Sequence, residues 1–227
     1  MAHDLIEQAL GEGREALNEY ESKRVLAAYD IPVSREFLVK DRTELARAVG
    51  DVGLPVAIKA CSSQVLHKTE AGLVRLGIET EAAAATAFEE LWPAVADDPA
   101  GGVLVAEMIA SPRELILGLQ RDAQFGPAVM FGLGGIFAEA IKDVVWRLAP
   151  LSPADAREMI DEIQGRAILG PVRGLPAVDL DELSGMVVNL GRLGAENDQV
   201  REIDLNPVLI KGDSPVVVDA LIIVGPA

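Results

Sequence analysis

Hydrophobic and polar positions follow two rhythms along this chain, and the change between them falls near its middle. In the first hundred residues helix-spaced segments alternate with short apolar runs. Residues 4–17 read as a helix weakened by Gly11 and Gly13. Asn18 stands where it would cap a second helix, "EYESKRVLAAY", which ends before the Ile31-Pro32 step. "REFLVK" predicts a strand, residues 42–52 a helix capped by Asp41, and "LPVAIKA" a buried strand of about six residues. A polar loop over residues 61–72, a strand over 73–78 and an Ala-rich helix over 80–92 follow.

"DDPAGG", residues 97–102, is the clearest break. Beyond it strands come close together: "VLVAEMI", "ELILGLQ", "PAVMFGL" and "FAEAIKDVVWRLAPL", the first three separated by turns at "SPR" and "DAQFG". Ser152-Pro153 with Asp155 opens a helix in the order of cap, proline and acid. A Gly- and Pro-rich loop over 165–176 and a long helix over about 179–196 lead to two closing strands. The fold class is α+β (α/β), in two lobes of about 18–100 and about 101–227, with no internal repeat.

The closing strands hold the most distinctive chemistry. In "EIDLNPVLI", Glu202, Asp204 and Asn206 share one strand face, while Ile203 and Leu205 share the other. Asp219 interrupts an otherwise apolar second strand, "VVVDA", where an unpaired carboxylate is expensive. Neighbouring strands with oxygen ligands suit Mg²⁺, which takes few carboxylates and accepts phosphate oxygens beside them. A polar sheet face with one satisfied Asp is the alternative, and the spacing leaves both open.

Composition narrows the partners. A net charge of −16 repels nucleic acid and anionic membranes, so a phosphate ligand must rely on local cations and backbone amides. Half the residues are hydrophobic but only 4% are aromatic, which gives a core without a base-stacking platform. The single Cys61 excludes an intramolecular disulfide. With no signal peptide at the N-terminus, a cytoplasmic location is expected. The most apolar run, residues 126–141, is cut by Glu139 and falls short of the ~20 residues a membrane helix needs.

Against that charge, isolated cations gain meaning. Lys59 ends a buried strand and is either a lysine snorkelling at the strand end or a phosphate clamp. His67 lies in "SSQVLHKTEAG" among Ser62, Ser63, Lys68, Thr69 and Gly72, which supply donors and flexible backbone near an anion. Gly132, Gly134 and Gly135 in "FGLGGIF" are neither a P-loop nor a dinucleotide fingerprint and indicate a close backbone approach. Arg147 shares a strand face with Glu139 and Asp143, for a salt bridge or a terminal phosphate. Glu107 and Glu114 mark strand ends. No spacing supports a hydrolase triad or a zinc site.

"EYESKRVLAAYDIPV", "LPVAIKACSSQVLHKTEAG", "VLVAEMI", "RDAQFGPAVMFGLGGIFAEAIKDVVWRLAPL" and "EIDLNPVLI" with "VVVDA", in this order, resemble the ATP-grasp domain of ADP-forming acyl-CoA synthetases (acetate–CoA ligases), the beta subunit where the enzyme is split. The chain is more distantly similar to the succinyl-CoA synthetase beta subunit. The resemblance implies a single ATP-grasp domain over 1–227 whose two α+β lobes grip a nucleotide. It implies that Lys59 holds nucleotide phosphates, that the backbone of Glu107, Met108 and Ile109 pairs with adenine, and that Glu114 reaches the ribose. Asn206 and Asp219 would be the Mg²⁺ ligands, Arg147 would meet a phosphate, and His67 falls on the histidine that transiently takes up the phosphoryl group.

The implied reaction is carboxylate + CoA + ATP to acyl-CoA + ADP + phosphate, in either direction. Acyl phosphate and a first phosphohistidine form on a separate CoA-binding alpha subunit, and the phosphoryl group passes through His67 to ADP. One departure stands out: where the family commonly pairs two glycines after the histidine, "EAGLV" has Leu73 in second place. A different ATP-grasp carboxylate ligase and a non-catalytic nucleotide-sensing subunit are the alternatives. His67 argues against the first, and Lys59, His67, Asn206 and Asp219 together argue against the second.

Overall fold

Short-range signals decide most of the helices in the computed structural model, which describes residues 2–64, 71–135 and 143–226. Helix α1 (Ala2–Gly11) is shorter than the sequence suggests. Gly13 adopts a φ of 72°, a left-handed conformation that reverses the chain after the helix. Residues Ala16–Leu17 then form a short strand, β1. Helix α2 (Glu19–Ala28) opens with a capping box: the Glu21 N–H donates to Asn18 Oδ1 at 2.9 Å, and the Asn18 N–H donates to the Glu21 carboxylate at 3.0 Å.

Contacts divide the chain into two units. The smaller consists of Asn18–Glu21 and Ser34–Ile109. It holds strands β2 (Glu36–Val39), β3 (Val56–Cys61), β4 (Val74–Ile78) and β5 (Gly102–Glu107) in an antiparallel sheet of order β2-β5-β3-β4. Helices α3 (Arg42–Val52) and α4 (Glu81–Leu91) are capped by Asp41 and Thr80. On α3, Leu45, Ala48, Val49 and Val52 recur at helical spacing and pack on Ile58, Val103 and Val105. All six residues of β3 are buried, so the side chains pointing away from the helices are covered too.

The larger unit, Met1–Leu17, Ser22–Val33 and Ala110–Ala227, is built on a seven-stranded antiparallel sheet. Its other strands are β6 (Glu114–Asp122), β7 (Gly126–Leu133), β8 (Val144–Leu148), β9 (Val200–Lys211), β10 (Ser214–Val217) and β11 (Ala220–Val224). The order is β1-β11-β9-β6-β7-β8, with β10 also paired to β9. Helix α5 (Pro153–Glu162) carries the expected Ser152/Asp155 capping box. Helix α6 (Leu180–Glu196) is capped by Asp179 and presses its apolar stripe on Leu119, Val129 and Ile203. A Cβ at Gly194 would lie 2.3 Å from Leu119, so glycine lets helix and sheet meet there.

Two expectations need correcting. The division does not fall near residue 100, because β5 pairs with both β2 and β3 and so belongs to the four-stranded sheet; the boundary lies between Ile109 and Ala110. The segment after α5 is not all loop, since Arg166–Leu169 form a 3-10 turn. Among the described residues no helix is long and apolar enough to cross a membrane.

Candidate functional site

The smaller unit supplies a buried cation. Lys59 is the fourth of six residues in β3, not its end, and its ammonium meets Glu19 Oε1 at 2.7 Å. The two side chains are only 9% and 1% exposed, which replaces the snorkelling reading with a buried ion pair. The sequence pattern does not single out Glu19. A signal was there: "NEYESK" opens a helix without an apolar stripe, and its Asn18, Glu19, Glu21, Ser22 and Lys23 are all buried.

Strand β5 ends at Glu107, whose N–H donates to the Arg35 carbonyl at 2.9 Å while its carboxylate accepts the Arg35 N–H at 2.9 Å. Glu107 therefore closes the ladder, and Met108 and Ile109 follow beyond its last rung. Met108 is half-buried and Ile109 buried, at the end of the unit.

His67 and Lys68 lie outside the described residues, but both stems of their loop are defined. Ser62 Oγ bonds Asp98 Oδ2 at 2.6 Å, the Ser63 N–H donates to the same oxygen at 3.2 Å, and the Ala100 N–H donates to Asp98 Oδ1 at 2.9 Å. On the return side, Leu73 accepts the Ala60 N–H at 3.0 Å and packs against the core of the unit. Leu73 thus anchors the base of the loop. "DDPAGG" holds that anchor as well as a turn, which the sequence reading missed.

In the larger unit, β9 alternates as expected: Glu202, Asp204 and Asn206 are exposed, while Ile203 and Leu205 are buried. Asp219 does not interrupt one strand. It lies half-buried in the two-residue break between β10 and β11. Because Val217 pairs with Val208 and Ala220 with Leu205, that break runs alongside Asn206 and Pro207. The amide oxygen and the carboxylate are thereby set on neighbouring segments. Asp204 joins them: desolvation, then the charges of Asp219 and Glu202, raise its carboxyl above the usual carboxylate range.

Among the described residues no three His, Cys, Asp or Glu side chains form a metal cluster. The donors suit a different mode. An amide and a carboxylate oxygen, both hard, match Mg²⁺ that keeps waters and phosphate oxygens as its remaining ligands.

Glu114 opens β6, and the glycines at the end of β7 close on it. The Gly134 N–H donates to the Glu114 carbonyl at 2.8 Å, and a Cβ at Gly135, where φ is 61°, would lie 2.9 Å from Glu114 Oε2. The close approach read from "FGLGG" is therefore real, and the missing Cβ at Gly135 leaves room for the Glu114 carboxylate. Arg147 stands on β8, at the edge of the sheet and three strands from β9. Its guanidinium pairs with Glu162 on α5 and not with Asp143, which instead accepts the Gln164 and Gly165 N–H groups at 2.9 and 2.8 Å. Glu139 lies outside the described residues. Arg147 is thus not brought to the Asn206 and Asp219 corner.

A four-stranded antiparallel sheet with a lysine inside it, and a seven-stranded antiparallel sheet with oxygen donors exposed on one strand, place the chain in the α+β class of folds. The ATP-grasp domain model matches residues 8–224, and the chain belongs to the ATP-grasp family. It is 42% identical over 226 residues to the beta subunit of the ADP-forming acetate–CoA ligase II of Pyrococcus furiosus, covering 96% of each chain. Against the single-chain ADP-forming acetate–CoA ligase I of Archaeoglobus fulgidus it is 34% identical and spans 33% of the length.

Among solved structures, the dinucleotide forming acetyl-coenzyme A synthetase 1 of Ca. Korarchaeum cryptofilum, with coenzyme A and Ca-AMPCP, superposes with a TM-score of 0.92 at 39% identity, covering 99% of this chain and 100% of the other. The same protein with coenzyme A and Mg-AMPPCP has its phosphohistidine segment pointing towards the nucleotide binding site; there the TM-score is 0.87 at 38% identity, with the same coverage.

Proposed function

We propose that this chain is the nucleotide-binding subunit of an ADP-forming carboxylate–CoA ligase, working with a CoA-binding partner subunit. The observation that carries this is the near full-length match to an acetate–CoA ligase beta subunit. The single-chain relative of three times the length supports a division of labour, with CoA and acid handled by the other part. A cytoplasmic location, where ATP and CoA are at hand, belongs to the same proposal.

In this reading Lys59 binds nucleotide phosphates as a point charge, and Glu19 keeps the ammonium in place. The backbone of Glu107, Met108 and Ile109, where the ladder ends, takes the adenine edge, and the Glu114 carboxylate takes the ribose. Asn206 and Asp219 present oxygen donors to Mg²⁺. When bound, the ion would neutralise charge on the phosphate oxygens. Arg147 would meet a phosphate in competition with Glu162. His67 takes the phosphoryl group from the partner and passes it to ADP; a neutral imidazole is a competent nucleophile near pH 7. The phosphohistidine segment of the Korarchaeum structure supports that role.

The test measures nucleotide binding and acyl-CoA turnover in parallel. Alone, the chain is expected to bind Mg-ADP and Mg-ATP and to form no acyl-CoA. With the partner, wild type turns over, whereas His67→Ala binds nucleotide normally and loses overall turnover. Robust acyl-CoA formation by the chain alone, or near-normal turnover of the variant, would overturn the proposal.

A further inference from the structure

Lys23 is 1% exposed, buried in α2 within the larger unit. An ammonium in such a place is costly unless bonded, and removing it alone leaves the acceptor it serves without its donor. Lys23 Nζ donates to the Val218 carbonyl at 2.9 Å.

Val218 and Asp219 are the two residues between β10 and β11, and their backbone is fastened from several directions. The Val217 N–H donates to the Pro32 carbonyl at 2.9 Å, and the Val218 N–H donates to the Pro207 carbonyl at 3.2 Å. The Val218 carbonyl belongs to the peptide plane that joins Val218 to Asp219. A planar peptide gripped at its oxygen has a fixed orientation, and the Asp219 side chain extends from its far end.

We propose that Lys23 is a positioning residue for metal binding. By gripping the Val218 carbonyl it fixes the plane from which Asp219 extends, and so sets the carboxylate beside Asn206 for the Mg²⁺ that accompanies a nucleotide. The inference rests on the reading of Asn206 and Asp219 as metal ligands. Groups that orient a ligand typically change metal affinity about ten- to a hundredfold when removed, although they never touch the ion.

The full chain is tested as Lys23→Met, Asp219→Asn and the double variant, by calorimetric titration with ADP across a range of Mg²⁺ and by thermal unfolding without ligand. Lys23→Met is expected to lower the midpoint of unfolding modestly, because the Val218 carbonyl loses its donor, and to leave metal-free ADP binding unchanged. Its Mg²⁺ requirement rises about tenfold or more. In the Asp219→Asn background the same change adds little, because the group being positioned is already altered.

Unchanged Mg-ADP binding in Asp219→Asn would sink the metal-ligand reading itself. If Asp219→Asn weakens binding and Lys23→Met does not, only the positioning role fails. Should Lys23→Met unfold, Lys23→Leu, which also lacks a donor for the Val218 carbonyl, is measured in the same way; a normal Mg²⁺ dependence there overturns the proposal.

Discussion

Lys59 in the four-stranded sheet and the Asn206–Asp219 corner of the seven-stranded sheet present opposite kinds of chemistry in opposite kinds of surroundings. The lysine is shut away from water and bound to a carboxylate at 2.7 Å, while Asn206 lies open on a sheet face and Asp219 is half-buried. In a chain of net charge −16 the contrast has a physical cause. A lone surface cation would attract carboxylates and counter-ions from all sides, so a partner such as Glu19 fixes its position. Oxygen donors for a metal need the reverse: they stay open to an arriving cation, and at Asp204 desolvation first, then repulsion from Asp219 and Glu202, raises the carboxyl. The same substitution logic should therefore act on stability in one unit and on binding alone in the other.

The largest effect is expected at Lys59. Lys59→Ala removes the ammonium that neutralises Glu19 in a site where both are buried, and breaking such a pair costs about 3–5 kcal/mol. Chemical denaturation should show that loss, and titration should show weakened ATP and ADP binding. Replacing both, as Lys59→Met with Glu19→Gln, should return most of the stability but none of the affinity. Restored affinity in the double variant would remove Lys59 from the phosphate site.

Asp98 comes next. Asp98→Ala strips acceptors from the Ser62 hydroxyl and from the Ser63 and Ala100 N–H groups, at about 1–3 kcal/mol. Faster amide hydrogen exchange at residues 62–64 should accompany it, with the helices of the unit unaffected. Equal protection in variant and wild type would show that Asp98 does not hold the loop stem. Ser152→Ala, at the cap of α5, should cost about 1 kcal/mol without altering nucleotide binding.

What the sequence made legible follows the range of the interactions. Helix α3 with its Asp41 cap, the Ser152/Asp155 box and the alternation of β9 depend on neighbours a few residues away, and each is where the pattern put it. The partner of Lys59 lies 40 residues off, that of Ser62 lies 36 off, and Arg147 finds Glu162 on a helix 15 residues on. No periodicity encodes such pairings. Strand β5 shows the same limit at the level of the sheet: "VLVAEMI" reads as a strand, but its pairing with β2 and β3, which moves the boundary to Ile109, is a long-range fact. The break before Asp219 was hidden because "VVVDA" has the composition of one continuous strand. The oxygen-bearing side chains of the corner were legible; the way they are brought together was not.

The smallest stability effect, and the sharpest test of the contrast, belongs to Asn206→Ala and Asp219→Asn. Asn206 is exposed, and no core contact is lost with its amide. Asp219 keeps its shape as Asn, including an oxygen able to accept the Ala220 N–H that now lies 3.0 Å from Oδ1. A change at an exposed position such as Asn206 stays within about 0.5 kcal/mol, and the near-isosteric change at half-buried Asp219 is expected to stay small, so denaturation midpoints should move little. Mg-ADP affinity should nonetheless fall in each, and chelation of Mg²⁺ should cost the variants less than wild type, since part of the metal's contribution is already gone. A variant that loses several kcal/mol of stability would show that the corner is structural, like Lys59 and Glu19. A variant with both stability and Mg-ADP affinity intact would show that the oxygen donors of β9 and the break beside it form a polar sheet face and nothing more.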